Sequence, residues 1–138
     1  FERRPNLRLR AFVANHADAT AFILCGGRDC EETPQRVKWV RDQVLKQPGT
    51  KYALHGDCRG ADRWMARACG GHVRRQVLFP AKWREHGRAA GPRRNREMLA
   101  KALDVCQRVV VLAMPGGRGT ADMCQIAEAA GVEVRRCP

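Results

Sequence analysis

Residues 108–120 read RVVVLAMPGGRGT. A continuous apolar run with three consecutive β-branched valines, cut off by Pro115-Gly116-Gly117, predicts a strand buried on both faces that stops at a turn. A helix is expected next, with Met123, Ile126, Ala127 and Ala130 on one face and Gly131 at its end. Residues 132–136 then supply a last strand. Upstream, Pro92 is expected to open a helix whose buried face is Met98, Leu99, Ala102 and Leu103. It follows a connection over 81–91 that carries Trp83, His86 and Gly87.

The same alternation continues toward the N-terminus. Residues 73–79 read as a strand closed by Pro80, and Ala61, Trp64, Met65 and Ala68 recur at helical spacing before Gly70-Gly71. Residues 51–55 form a short strand ending in Gly56. Thr33-Pro34 has the form of an N-cap with proline in the first helical position. Val37, Val40, Val44 and Leu45 then fall on one face until Pro48-Gly49. The run Ala21-Phe22-Ile23-Leu24-Cys25 is the first strand, stopped by Gly26-Gly27. Strands that alternate with helices imply parallel pairing through crossovers. The expected fold is therefore α/β and Rossmann-like, a single domain with about five parallel strands and helices on both faces. It occupies residues 19–138, and residues 1–18 form a basic N-terminal arm.

The 138 residues are 44% hydrophobic, enough for one packed core and too many for an intrinsically disordered chain. No apolar stretch reaches the roughly 18–20 residues of a membrane span, so no membrane partner and a cytoplasmic location are expected. Basic residues outnumber acidic ones, 26 to 14, for a net charge of +12. Of the basic residues 21 are arginine, which holds phosphate through two parallel hydrogen bonds. Either the surface meets anionic partners or a codon bias has replaced lysine. Serine is absent, which excludes every serine nucleophile. The seven cysteines include no C-x-x-C pair and fall mostly in apolar segments, so they are read as free thiols, with no metal and no cofactor expected.

In parallel sheets ligands bind beyond the carboxyl ends of the strands. Three glycine-rich loops lie there: Gly26-Gly27-Arg28-Asp29, Gly56 to Asp62, and Pro115 to Thr120. Each alone is compatible with ordinary turn chemistry; together they read as a phosphate cradle of bare amides and helix N-termini. None is a G-x-G-x-x-G or G-x-x-x-x-G-K-[ST] loop in its proper place, so standard dinucleotide or ATP binding is not expected.

The stretches GGRDC (26–30), HGDCRGADRWMARAC (55–69), GPRRNREM (91–98) and PGGRGTADM (115–123), in this order, resemble the YspA/YpsA-related branch of the SLOG superfamily, named after its Smf/DprA and LOG members. The resemblance spans about Phe22 to Val134. It implies a nucleotide or nucleotide-derived ligand at the glycine-rich edge. The ligand-binding residues expected there are Gly26, Gly27, Arg28, His55, Gly56, Arg59, Gly60, Asp62, Arg94, Asn95, Pro115, Gly116, Gly117, Gly119 and Thr120. Arg28 and Arg59 would clamp an anion or simply be solvated. Asp62 would accept ribose hydroxyls or favour its helix dipole. His55 would contact ligand or be a satisfied core residue, and Trp83 and His86 sit in a possible lid.

LOG-type members cleave the N-glycosidic bond of nucleoside monophosphates with an arginine in R-K-x-x-M and a glutamate in P-G-G-x-G-T-x-x-E. Arg94 matches the first, with Asn95 in place of lysine. Met123 stands at the glutamate position, leaving Asp122 as the nearest carboxylate. Arg94 and Asp122 are accordingly the catalytic candidates if the protein is an enzyme. A third reading is nucleic-acid binding through Arg3, Arg4, Arg8 and Arg10 and the cluster Arg88, Arg93, Arg94 and Arg96, although only 6% of residues are aromatic and available to stack bases. A homo-oligomer is expected.

Overall fold

The computed structural model describes residues 18–138. All but one residue of the arm expected over 1–18 lies outside the described residues. Five strands, β1 (Thr20–Cys25), β2 (Lys51–His55), β3 (Arg75–Leu78), β4 (Arg108–Ala113) and β5 (Glu133–Arg136), form one parallel sheet in the order β3-β2-β1-β4-β5. The α/β Rossmann-like fold expected from the alternation is the observed one. The order reverses between β1 and β4, which places the topological switch point beside the longest apolar strands.

Helices α1 (Pro34–Lys46), α2 (Ala61–Cys69), α4 (Ala90–Val105) and α5 (Arg118–Ala129) cover the sheet. Alternation along the strands decides which helix meets which residue. Phe22, Leu24, Ala53, Val110 and Leu112 face α1 and α2, against Val40, Val44, Trp64 and Met65. Ala21, Ile23, Leu54, Val109 and Val111 face the other way, toward Met98, Leu99 and Ala102 of α4 and Met123 and Ala127 of α5. Every residue of β1 is buried, consistent with its central place. Burial of Phe22, Ile23 and Leu24 contributes about 1.5–3 kcal/mol each.

Local signals behaved as their chemistry dictates. Thr33 caps α1, its Oγ1 accepting from the Arg36 amide at 3.2 Å, with Pro34 next. The helix expected to open at Pro92 opens at Ala90. A proline in the first turn needs no N–H, so it need not mark the first residue. The third strand was expected over 73–79 and is shorter, Arg75–Leu78. It is an edge strand whose sole partner, β2, has five residues to offer. The connection after β3 holds one turn of helix, α3 (Trp83–His86), and a 3-10 turn over Gly87–Ala89, both too short to show a period in sequence. All seven cysteines are free. No helix among the described residues is long and apolar enough to cross a membrane.

Candidate functional site

The loops after β1 and β4 meet at the switch point. The Gly27 amide donates to the Pro115 carbonyl at 2.9 Å, and the Met114 amide donates to Cys25 O at 2.9 Å. Their backbones touch so closely that a Cβ on Gly27 would lie 3.1 Å from the Gly116 Cα, while a Cβ on Gly116 would overlap the Thr120 side chain. A side chain at Gly116 would overlap the Gly27 amide as well, and one at Gly27 would press on the Gly116 backbone, so bare glycines let the loops lie against each other. Beyond this contact opens a cleft of about 1130 Å³, lined from β1 by Gly26, Gly27 and Arg28, from the β4–α5 turn by Pro115 to Thr120, and from α4 by Arg94 and Asn95.

Helix α5 points its N-terminus into this cleft. Gly117 is its N-cap and supplies no side chain to cap it. The amides of Arg118, Gly119 and Thr120 are thus the unpaired first-turn donors that carry the positive end of the helix dipole. A Cβ on Gly117 or Gly119 would meet nothing within 4 Å, so no neighbouring chain packs over these two residues on that side.

The other wall is a hydrogen-bonded chain. Arg94 Nε donates to Asn95 Oδ1 at 3.0 Å, and Asn95 Nδ2 donates to Asp122 Oδ2 at 2.9 Å and to Gly119 O at 3.1 Å. Arg94 Nη1 donates to the carbonyls of Gly56 and Phe79, both at 3.3 Å. The guanidinium therefore ties α4 to the ends of β2 and β3. It lies where a Cβ on Gly56 would be, which accounts for glycine at that position. Arg94 and Asp122, far apart in sequence, are linked through one buried amide. Asn95, expected as a ligand contact, lines the cleft and is hydrogen-bonded to both of them. Its position in the Met98, Leu99 and Ala102 stripe of α4 is the sequence signal for burial.

Asp122 rather than Met123 looks into the cleft. Met123 is fully buried under β1 and β4, so the position matched to the family glutamate faces the core. Asp122 Oδ1 has no hydrogen bond among the described residues.

The loop after β2 contributes less than expected. Gly56, Cys58 and Asp62 reach the cleft, but His55, Arg59 and Gly60 do not line it. The first amide of α2, Ala61 N, is already bonded to Gly27 O at 3.1 Å, so the chain itself fills that helix N-terminus. Arg59 is exposed and lies 3.7 Å from Asp29. His55 is buried, and its Nδ1 accepts from the Asp57 amide at 3.0 Å. Burial pulls its pKa below the ordinary 6.5, and the positive charges of Arg94 and Arg63 add to this, against the opposite pull of Asp57. Asp62 Oδ2 accepts from the amides of Gly56 at 3.1 Å and Cys58 at 3.4 Å, closing the loop over itself. Burial raises the Asp62 pKa, a push that those two amides and Arg94 oppose.

Sequence reading did not select Arg36 or Glu31, which also line the cleft; it named Arg88 only for nucleic acid, and Asp29 and Arg118 only as members of the glycine-rich loops. They lie in loops or on polar helix faces without a periodic signal. The lining thus carries five arginines and four carboxylates, counting Arg28, Arg94, Asp62 and Asp122. Among the described residues no group of three or more His, Cys, Asp or Glu is placed to hold a metal ion.

No protein-family profile matches the chain. Over 103 residues it is 37% identical to the Gene 61 protein of Mycobacterium phage D29, an alignment covering 69% of this chain and 78% of that protein. Among solved structures it is similar to DNA processing protein A (DprA) from Streptococcus pneumoniae, with 16% identity and a TM-score of 0.44. That match takes in 84% of this chain but only 58% of DprA, so the chain spans little more than half of it.

Proposed function

The chain belongs to the family of the Gene 61 protein of Mycobacterium phage D29, and we propose that it binds a nucleotide or nucleotide-derived small molecule in the switch-point cleft. The observation that carries this reading is the meeting of two bare glycine loops under the uncapped N-terminus of α5. A phosphate at the Gly117–Thr120 turn would accept from first-turn amides and sit in the positive end of the helix dipole, with Arg118 beside it. Asp122, held by Asn95, offers its second oxygen to ribose hydroxyls. The four motifs that resemble the YspA/YpsA-related branch of the SLOG superfamily support the same ligand class.

The charge balance of the cleft favours this over a nucleic-acid track. A groove built for a polyanion would exclude carboxylates, whereas four line this one beside five arginines. A nucleotide presents an anionic end and neutral hydroxyl donors, which suits such a mixture. Arg93 and Arg96 are exposed outside the lining and remain available to nucleic acid. A gel shift on single-stranded DNA tests that reading. Charge-driven binding requires a midpoint that moves strongly with salt.

Calorimetry with 5′-nucleoside monophosphates tests the leading reading, with Gly117→Asp as its control. The new side chain enters open space, and aspartate is a better N-cap than glycine by a few tenths of a kcal/mol. The variant should therefore fold at least as well while repelling phosphate. Binding that survives in Gly117→Asp refutes the cradle. The position of Asp122 also favours a second reading, hydrolysis of the N-glycosidic bond. Its carboxylate would stabilise the oxocarbenium-like centre of the breaking bond. Release of free base from a nucleoside monophosphate, abolished in Asp122→Asn, distinguishes catalyst from binder.

A further inference from the structure

Trp83 is the one aromatic residue among the large hydrophobic side chains left exposed in the described residues, at 47%. The other two tryptophans are used by the core. Trp64 is buried with its Nε1 donating to Cys30 O at 3.1 Å, and Trp39 packs against the α1–α2 side of the sheet. The Trp83 ring instead lines the cleft from α3. It is backed by the start of α4, where a Cβ on Gly91 would come within 3.3 Å of its Cη2. Across from it, the Arg28 guanidinium stands 5.9 Å from the ring centroid, a cation–π pair that joins the loop after β1 to α3.

The geometry points to this pair as a nucleobase clamp, so that the ligand of the cleft is a compound bearing a base and not a plain sugar phosphate. The inference rests on the phosphate reading above and deepens it. Arg28 follows Gly27, whose amide is bonded to Pro115 at the edge of the phosphate turn, so the jaw and the cradle belong to one continuous strand end. Stacked planes repeat at about 3.4 Å, so a base between indole and guanidinium needs about 6.8 Å, roughly 1 Å more than the present 5.9 Å. Arg28 is exposed and its long side chain can yield that distance, which leaves a base flanked by an indole on one face and a planar cation on the other. Stacking of this kind accepts any base because every base has a π-face.

The test compares AMP, GMP, CMP and UMP with ribose 5-phosphate by calorimetry on the wild type, Trp83→Leu and Trp83→Phe, with circular dichroism as the fold control. The clamp requires the nucleotides to bind at least about tenfold more tightly than ribose 5-phosphate, within the range one base–aromatic stack supplies. Trp83→Leu should bring the two ligand classes to within about twofold of each other, and Trp83→Phe should keep most of the difference. Quenching of tryptophan emission by the nucleotides should vanish in both variants, since Trp39 and Trp64 lie outside the cleft lining. Equal affinity of the wild type for ribose 5-phosphate and the nucleotides overturns the clamp and leaves the phosphate cradle standing. A nucleotide advantage that persists in Trp83→Leu does the same. Failure of every compound, ribose 5-phosphate included, overturns the cradle and the clamp with it.

Discussion

Replacing Asn95 with alanine removes a buried side chain that hydrogen-bonds α4 to α5 at the cleft wall. Three hydrogen bonds disappear, from Arg94 Nε at 3.0 Å, to Asp122 at 2.9 Å and to Gly119 O at 3.1 Å. Two involve a charged partner, and such bonds contribute about 1.5–3 kcal/mol each against about 1 for a neutral one. Arg94 and Asp122 are only half-buried, so water recovers part of the loss, and a net cost of about 2–3 kcal/mol is expected. With a urea slope near 2 kcal/mol/M the unfolding midpoint should fall by about 1–1.5 M. A double-mutant cycle with Asp122→Ala isolates the Asn95–Asp122 bond. Asn95→Asp supplies a second check, because a carboxylate there keeps the acceptor for Arg94 and loses both donor bonds, to Asp122 and to Gly119 O, so it should destabilise as well. A midpoint shift under about 0.3 M in both Asn95→Ala and Asn95→Asp would refute the argument that this amide organises the cleft wall.

Gly56→Ala should displace the Arg94 guanidinium from both its carbonyl partners; because that group ends a flexible, half-exposed side chain, a cost of about 1–2 kcal/mol is expected by urea unfolding. His55 is buried with a depressed pKa. The unfolded chain therefore binds the proton first, and the stability His55 contributes is full above about 6.5 and is lost as pH falls through the folded-state value. His55→Gln should flatten that part of the stability–pH profile. Burial raises Cys69 to about 12 and Cys106 to about 11, whereas a hydrogen bond from Cys25 pulls Cys124 below the ordinary thiol value. Cys25→Ala should move the pH midpoint of Cys124 alkylation upward, read by mass spectrometry of iodoacetamide adducts.

Much of this protein was legible in its sequence because the signals are local. Runs such as Ala21 to Cys25 and Val109 to Leu112 can be buried on both faces only inside a parallel sheet, and glycine and proline mark their ends. The turn after β4 was legible for the same reason, since Pro115 stops the strand and Gly116, Gly117 and Gly119 carry no side chains. The short α3 was not, because one helical turn has no period to detect. What each polar residue does depended on contacts between distant segments. The tertiary structure decided that Asp122 faces the cleft while Met123 enters the core, because the rotation of α5 on the sheet sends successive side chains about 100° apart. It also decided that the β2 loop closes on its own Asp62 and on the chain at Gly27, which leaves His55, Arg59 and Gly60 outside the cleft lining. A strand order of β3-β2-β1-β4-β5 brings the first and fourth loops together, and that adjacency comes from strand pairing between segments 88 residues apart, which no local pattern encodes.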